Sequence, residues 1–134
     1  MSCPFVVFNP HPHGLFVDDC VKRSIVAVTG MEYMEVQRQL NRYKKVTGAR
    51  FFNSDYNPHR YVEEALHAEK RICPPDERGR RPTVAEFAAA HSIGRYILDV
   101  KGHWTALVDG VIRDTWDPCE EKVYVAWRFT HPSQ

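Results

Sequence analysis

Residues 102–118 read GHWTALVDGVIRDTWDP. Two short β-rich runs flank Asp109-Gly110, and an Asp-Gly pair between such runs is the strongest short-range signal for a tight hairpin. With Asp109 and Gly110 as the central residues of a type I′ turn, Val108 pairs with Val111, Thr105 falls opposite Asp114, and His103 falls opposite Trp116. Opposed residues share a face, so His103, Asp114 and Trp116 project together. Asp114 is then the diagonal neighbour of His103, about 7–8 Å away between backbones and within reach of a carboxylate–imidazole hydrogen bond. Asp117 points to the other face. A three-residue loop shifts the parity by one and sets Asp117 opposite His103 instead; the two-residue turn is the reading adopted.

Around this hairpin, residues 95–100 and 122–129 are further β-rich runs. Their connections at Lys101-Gly102 and at residues 117–121 are short, which makes consecutive strands antiparallel neighbours. Upstream, Asp18 or Asp19 can cap a helix with Val21, Ile25 and Val28 on its apolar side and Gly30 as its stop. Cys20 falls in the first turn of that helix. Unpaired N–H groups and the positive end of the helix dipole gather there, and both favour thiolate over thiol. Cysteine is also among the most buried residue types, so a small core residue is the competing reading. Its position upstream of a His–Asp hairpin favours the nucleophile.

Residues between these two ends read as scaffold. A helical stripe of Tyr33, Met34, Val36, Leu40 and Tyr43 runs over residues 31–46 and stops at Thr47-Gly48. Residues 51–59 read as an Asn-, Asp- and Pro-rich loop, residues 60–70 as a helix with Tyr61, Val62, Ala65 and Leu66 inward, and residues 72–82 as a proline-rich loop. Arg78-Gly79-Arg80-Arg81 is a basic cluster without interleaved aromatics, the pattern of a solvated loop, so nucleic acid is not an expected partner. Thr83-Val84-Ala85-Glu86 is a capping box opening a helix through about residue 91. At the start, residues 5–8 suit a strand, and Pro10 and Pro12 force an extended path through His11 and His13. Two histidines without a third ligand make a weak metal set, so neither a metal nor a cofactor is assigned.

The chain has 134 residues, 43% hydrophobic and 26% charged, enough for one real core and hardly two. One domain over 1–134 is expected, helical over about 18–92 and sheet over about 93–130, in the α+β pattern. A formal net charge of +1 exerts no overall pull toward nucleic acid or membrane. No apolar run approaches the roughly 20 residues of a membrane span. The four cysteines, Cys3, Cys20, Cys73 and Cys119, are scattered without a CxxC pair. That spacing predicts free thiols in a reducing compartment; without a membrane span or an N-terminal signal pattern, a cytoplasmic location is the default expectation.

A cysteine opening the first helix, a histidine opening a strand of a C-terminal antiparallel sheet and an aspartate on the next strand resemble, in that order, the papain-like cysteine peptidase superfamily. Asp114-Thr115-Trp116 is similar to the Asn-Ser-Trp motif of papain relatives. The small size and Asp-Cys helix start resemble the bacteriocin-processing, double-glycine peptidase branch and small phage-encoded proteins. The resemblance implies a papain-like fold and a thiol-dependent hydrolase, a cysteine peptidase or isopeptidase. Cys20 would be its nucleophile, His103 its general base and acid, and Asp114 the orienting group, with Trp116 shielding the His–Asp bond; a thioester would be the intermediate. The Cys-Gly-x-Cys-Trp signature and the oxyanion-hole glutamine are absent. Asn9 or His13 is therefore the candidate second oxyanion donor, with Asp19 and Asp117 as further supporting residues. The expected partner is a peptide or protein substrate, in the host cytoplasm if the chain is phage-encoded. A catalytically silent papain-like domain that binds a bacterial host or phage protein is one alternative; an amidase or transglutaminase-like acyl transferase is the other.

Overall fold

The computed structural model describes residues 2–47 and 56–130. In chain order its elements are β1 (Phe5–Val7), α1 (Cys20–Thr29), α2 (Tyr33–Thr47), α3 (Tyr56–Arg60), a π-helical turn (Tyr61–Ala65), β2 (Glu69–Ile72), α4 (Val84–Ala90), β3 (Arg95–Asp99), β4 (Trp104–Val108), β5 (Val111–Asp114) and β6 (Val125–Phe129). Among the described residues this is a mixed α+β architecture of four α-helices and a six-stranded sheet.

The hairpin follows its turn chemistry. Asp109 and Gly110 have φ of 48° and 81°, the positive values that a type I′ turn needs at both central positions. Val108 pairs with Val111, Leu107 with Ile112 and Ala106 with Arg113, the register expected for a two-residue turn. Lys101 and Gly102 also have positive φ, 66° and 83°, and the Val100 N–H donates to the His103 carbonyl at 2.8 Å. Two tight turns therefore fix β3, β4 and β5 edge to edge. The full order is β1-β5-β4-β3-β6-β2, antiparallel throughout except where β1 runs parallel to β5.

Alternation along the strands gives the sheet two apolar faces. Ile97, Trp104, Ala106, Trp127 and Phe129 pack with Cys20, Val21, Ile25 and Val28 of α1 and with Val36 and Leu40 of α2. Tyr96, Leu98, Leu107, Ile112 and Ala126 pack on the opposite side with Val84, Phe87 and Ala88 of α4. Helix α1 ends at Gly30 in the left-handed conformation (φ 75°), its N–H returning to the Val26 carbonyl, the usual glycine stop. Helix α4 starts with the predicted capping box: Thr83 accepts from the Glu86 N–H at 3.1 Å, and Glu86 accepts from the Thr83 N–H at 2.8 Å.

Several expectations are corrected. The helix expected over 60–70 is short helix α3 followed by the π-helical turn, which ends at Ala65; Glu69–Ile72 then forms an exposed edge strand on β6. Of the loop expected over 51–59, residues 51–55 lie outside the described residues, and 56–59 belong to α3. The sheet is not confined to the C-terminal third, since β1 and β2 complete its two edges. The basic cluster folds onto its own turn: Asp76 accepts from the N–H groups of Arg78 and Arg80, each at 2.9 Å, and Arg81 lies over the Tyr124 ring. Among the described residues no helix is long and apolar enough to cross a membrane.

Candidate functional site

Three elements converge where β4 and β5 leave the hairpin. Cys20 is the first residue of α1, buried and free of any disulfide. His103 stands between the Lys101-Gly102 turn and β4, and Asp114 closes β5. His103 Nε2 and Asp114 Oδ2 are 2.8 Å apart, so the carboxylate reaching the ring is Asp114, as the two-residue turn requires. The free, buried Cys20 is the second group that acts on the ring electrostatically. Burial opposes charge on His103, but the hydrogen bond and negative charge of Asp114, together with the influence of Cys20, outweigh it and push its pKa up to about 9. For Asp114 burial raises the pKa, but the hydrogen bond and charge of His103, together with the Thr105 side chain and the Thr115 N–H, outweigh it and hold the carboxyl below its ordinary range.

Arg23 is the residue that sequence reasoning missed. It lies one helical turn after Asp19 on α1, pairs with that carboxylate, and donates through Nη2 to Asp114 Oδ1 at 3.2 Å. All three side chains are buried. Asp19 also accepts from the Tyr33 hydroxyl at 2.8 Å. Burial, reinforced by that bond to Asp19, raises the Tyr33 pKa. The i, i+4 spacing of Asp19 and Arg23 was the available signal. Asp19 does stand at the N-cap position, but its side chain makes no capping hydrogen bond, because Arg23 and Tyr33 take its oxygens.

The other expected supporting residues divide. Trp116 lies against the His103 ring at 4.7 Å between centroids and is 44% exposed. Asn9 is committed to its own loop, donating to the Leu15 carbonyl at 3.1 Å and accepting from the His11 N–H at 3.3 Å. His13 is exposed, and its N–H donates to His11 Nδ1 at 3.1 Å. Beside Cys20 lies a small cleft of about 130 Å³ lined by Asp18, His59, Asp99, Gly102 and Trp104.

Two cysteines change the functional reading. Cys3 and Cys119 form a disulfide with a Cα–Cα separation of 5.9 Å. Their sulfurs and an Asp117 oxygen all lie within 4.8 Å of one another. Four free thiols in a reducing compartment was therefore the wrong expectation. A Cys-Asp-Cys cluster of metal-ligand type stands where the sequence suggested two idle thiols and a supporting Asp117. This finding overturns the thiol-hydrolase reading, and with it the peptidase, isopeptidase, amidase and transglutaminase-like activities and the silent papain-like host-binding alternative. No family model matches the chain, and comparison with curated proteins and with solved structures finds no match.

Proposed function

We propose that the chain is a stoichiometric thiol sensor of small electrophiles, with Cys20 as the reacting thiol, His103 as its proton partner and Asp114 as the group that positions the ring. The observation that carries this reading is the His103 ring, 2.8 Å from the buried Asp114 carboxylate through Nε2, with the free, buried Cys20 as the second group acting on it. A histidine held in its charged form by a buried carboxylate is a ready proton donor to a group leaving a neighbouring sulfur. The cleft at Cys20, about 130 Å³, is below the roughly 300–1,000 Å³ of drug-sized ligand sites. A hydroperoxide fits that limit. The Cys20 sulfur bonds one peroxide oxygen, the O–O bond breaks, and the departing hydroxide or alkoxide takes its proton from His103. Cys20 is left as a sulfenic acid, which external thiols reduce.

Helix α1 lying along β4 supports a papain-like arrangement of these three side chains as a matter of architecture, without the acyl-transfer chemistry. No peptide or host-protein partner enters this reading. Cys73, the other free cysteine, is the internal comparator: burial raises its pKa, with the Arg81 charge opposing. Iodoacetamide alkylation followed site by site in the native protein tests the proposal. At about pH 6 Cys20 is expected to react about tenfold faster than Cys73, and hydrogen peroxide followed by dimedone is expected to label Cys20. His103→Ala should abolish both. Equal rates at the two thiols, or labelling indifferent to His103→Ala, would overturn the proposal.

A further inference from the structure

We propose that Cys3, Asp117 and Cys119 form a redox-gated site for a thiophilic divalent cation of the zinc type. Two thiolates and a carboxylate are a zinc-type donor set, and three protein ligands leave the fourth tetrahedral position open to water. The three ligand atoms already lie within 4.8 Å of one another. Tetrahedral coordination at about 2.0–2.3 Å per ligand places donors on the order of 3.5 Å apart, so parting the two sulfurs is the main adjustment.

The backbone holds the ligands in place without the disulfide. The Pro4 carbonyl accepts from the Ile112 N–H at 2.9 Å, tying the residue after Cys3 to β5. The Cys119 carbonyl accepts from the Ala85 N–H at 3.0 Å on α4, and the Cys119 N–H donates to Asp117 Oδ1 at 2.9 Å. Reduction therefore leaves two thiols facing each other rather than two loose chain segments. The field favours a cation as well. The adjoining cleft, about 320 Å³, is lined by Ser2, Trp116, Asp117, Cys119, Glu120 and Glu121, three carboxylates and no basic side chain.

The chemistry balances with an external dithiol as reductant. The dithiol gives two electrons and two protons to the Cys3–Cys119 bond and leaves as its own cyclic disulfide. The cation then displaces both thiol protons and binds two thiolates and the Asp117 carboxylate, releasing two protons per cation. In the oxidised protein the sulfurs are bonded to each other and the site is closed. This inference is independent of Cys20 and His103.

The test is binding of zinc, and of cobalt as its coloured substitute, to the full chain before and after anaerobic treatment with a phosphine reductant. The reduced protein is expected to take up one equivalent, with a thiolate-to-cobalt charge-transfer band, and the oxidised protein none. Cys3→Ser and Cys119→Ser should each weaken binding about a hundredfold and Asp117→Asn about tenfold, while Cys20→Ser should bind as the unsubstituted chain does. Circular dichroism monitors the fold of each variant. If Cys119→Ser does not fold, Cys3→Ser and the cobalt spectrum of the unsubstituted chain decide. No uptake on reduction, a cobalt spectrum without sulfur ligation, or loss of binding in Cys20→Ser would each overturn the proposal.

Discussion

Each oxygen of Asp114 faces a different cation: Oδ2 lies 2.8 Å from His103 Nε2, and Oδ1 lies 3.2 Å from Arg23 Nη2. Asp114→Asn preserves the shape but removes the charge, so the His103 pKa should fall from about 9 toward its ordinary 6.5, as an imidazole titration by NMR would show. Arg23 retains Asp19 as a partner. The stability loss in urea should therefore lie near the low end of the ~3–5 kcal/mol typical of breaking a buried pair. The pH dependence has a definite sign. The His103 pKa is raised on folding, so its contribution is complete below about pH 6.5 and disappears as pH rises through about 9. That of Asp114 is lowered, so its contribution is present above the ordinary carboxylate range and disappears as pH falls through its depressed value. The urea midpoint should therefore decline on the alkaline side in the native chain and decline less in His103→Ala. The placement of Cys20 at a helix start and of Asp114 beside His103 was legible in the sequence because a helix start and an Asp-Gly turn are local patterns. Arg23 was hidden because its partner Asp114 lies 91 residues away.

The β4–β5 turn sets which carboxylate meets the imidazole. Inserting one glycine between Asp109 and Gly110 should shift the strand parity, carry Asp114 off the His103 face and return the ring to a near-ordinary pKa. An unchanged imidazole titration would show that the register does not control the pair. At the other end of the sheet, Thr83→Ala removes one half of the α4 capping box; the expected cost is about 1 kcal/mol in thermal or chemical unfolding. The capping box and the hairpin are short-range patterns, and both are legible in the sequence alone. Strand β2 was not. Its residues Glu69-Lys70-Arg71-Ile72 are all exposed and pair only with β6, so no apolar alternation marks them and the preceding helical spacing runs over them.

The longest-range link is the Cys3–Cys119 bond, with a sequence separation of 116. Four cysteines permit three fully paired arrangements as well as partial ones, and nothing near Cys3 or Cys119 in sequence marks them as partners. That is why the pairing was invisible while the tight turns were plain. A loop of this length makes the bond worth on the order of 4–5 kcal/mol in the chain-entropy account. A phosphine reductant should accordingly lower the melting temperature of the unsubstituted chain by several degrees and leave that of a Cys3→Ser, Cys119→Ser double variant unmoved, as calorimetry can check. Strand β1 carries a second consequence of the same separation. It lies parallel to β5, with Phe5 opposite Ile112, and so has no strand to dock on until the C-terminal hairpin exists. During synthesis the first strand leaves the ribosome long before its partner is translated, and its backbone donors and acceptors remain open to other chains until then. Completion of the sheet edge, and closure of the disulfide beside it, therefore wait for the β4–β5 hairpin and the segment that follows it to be made.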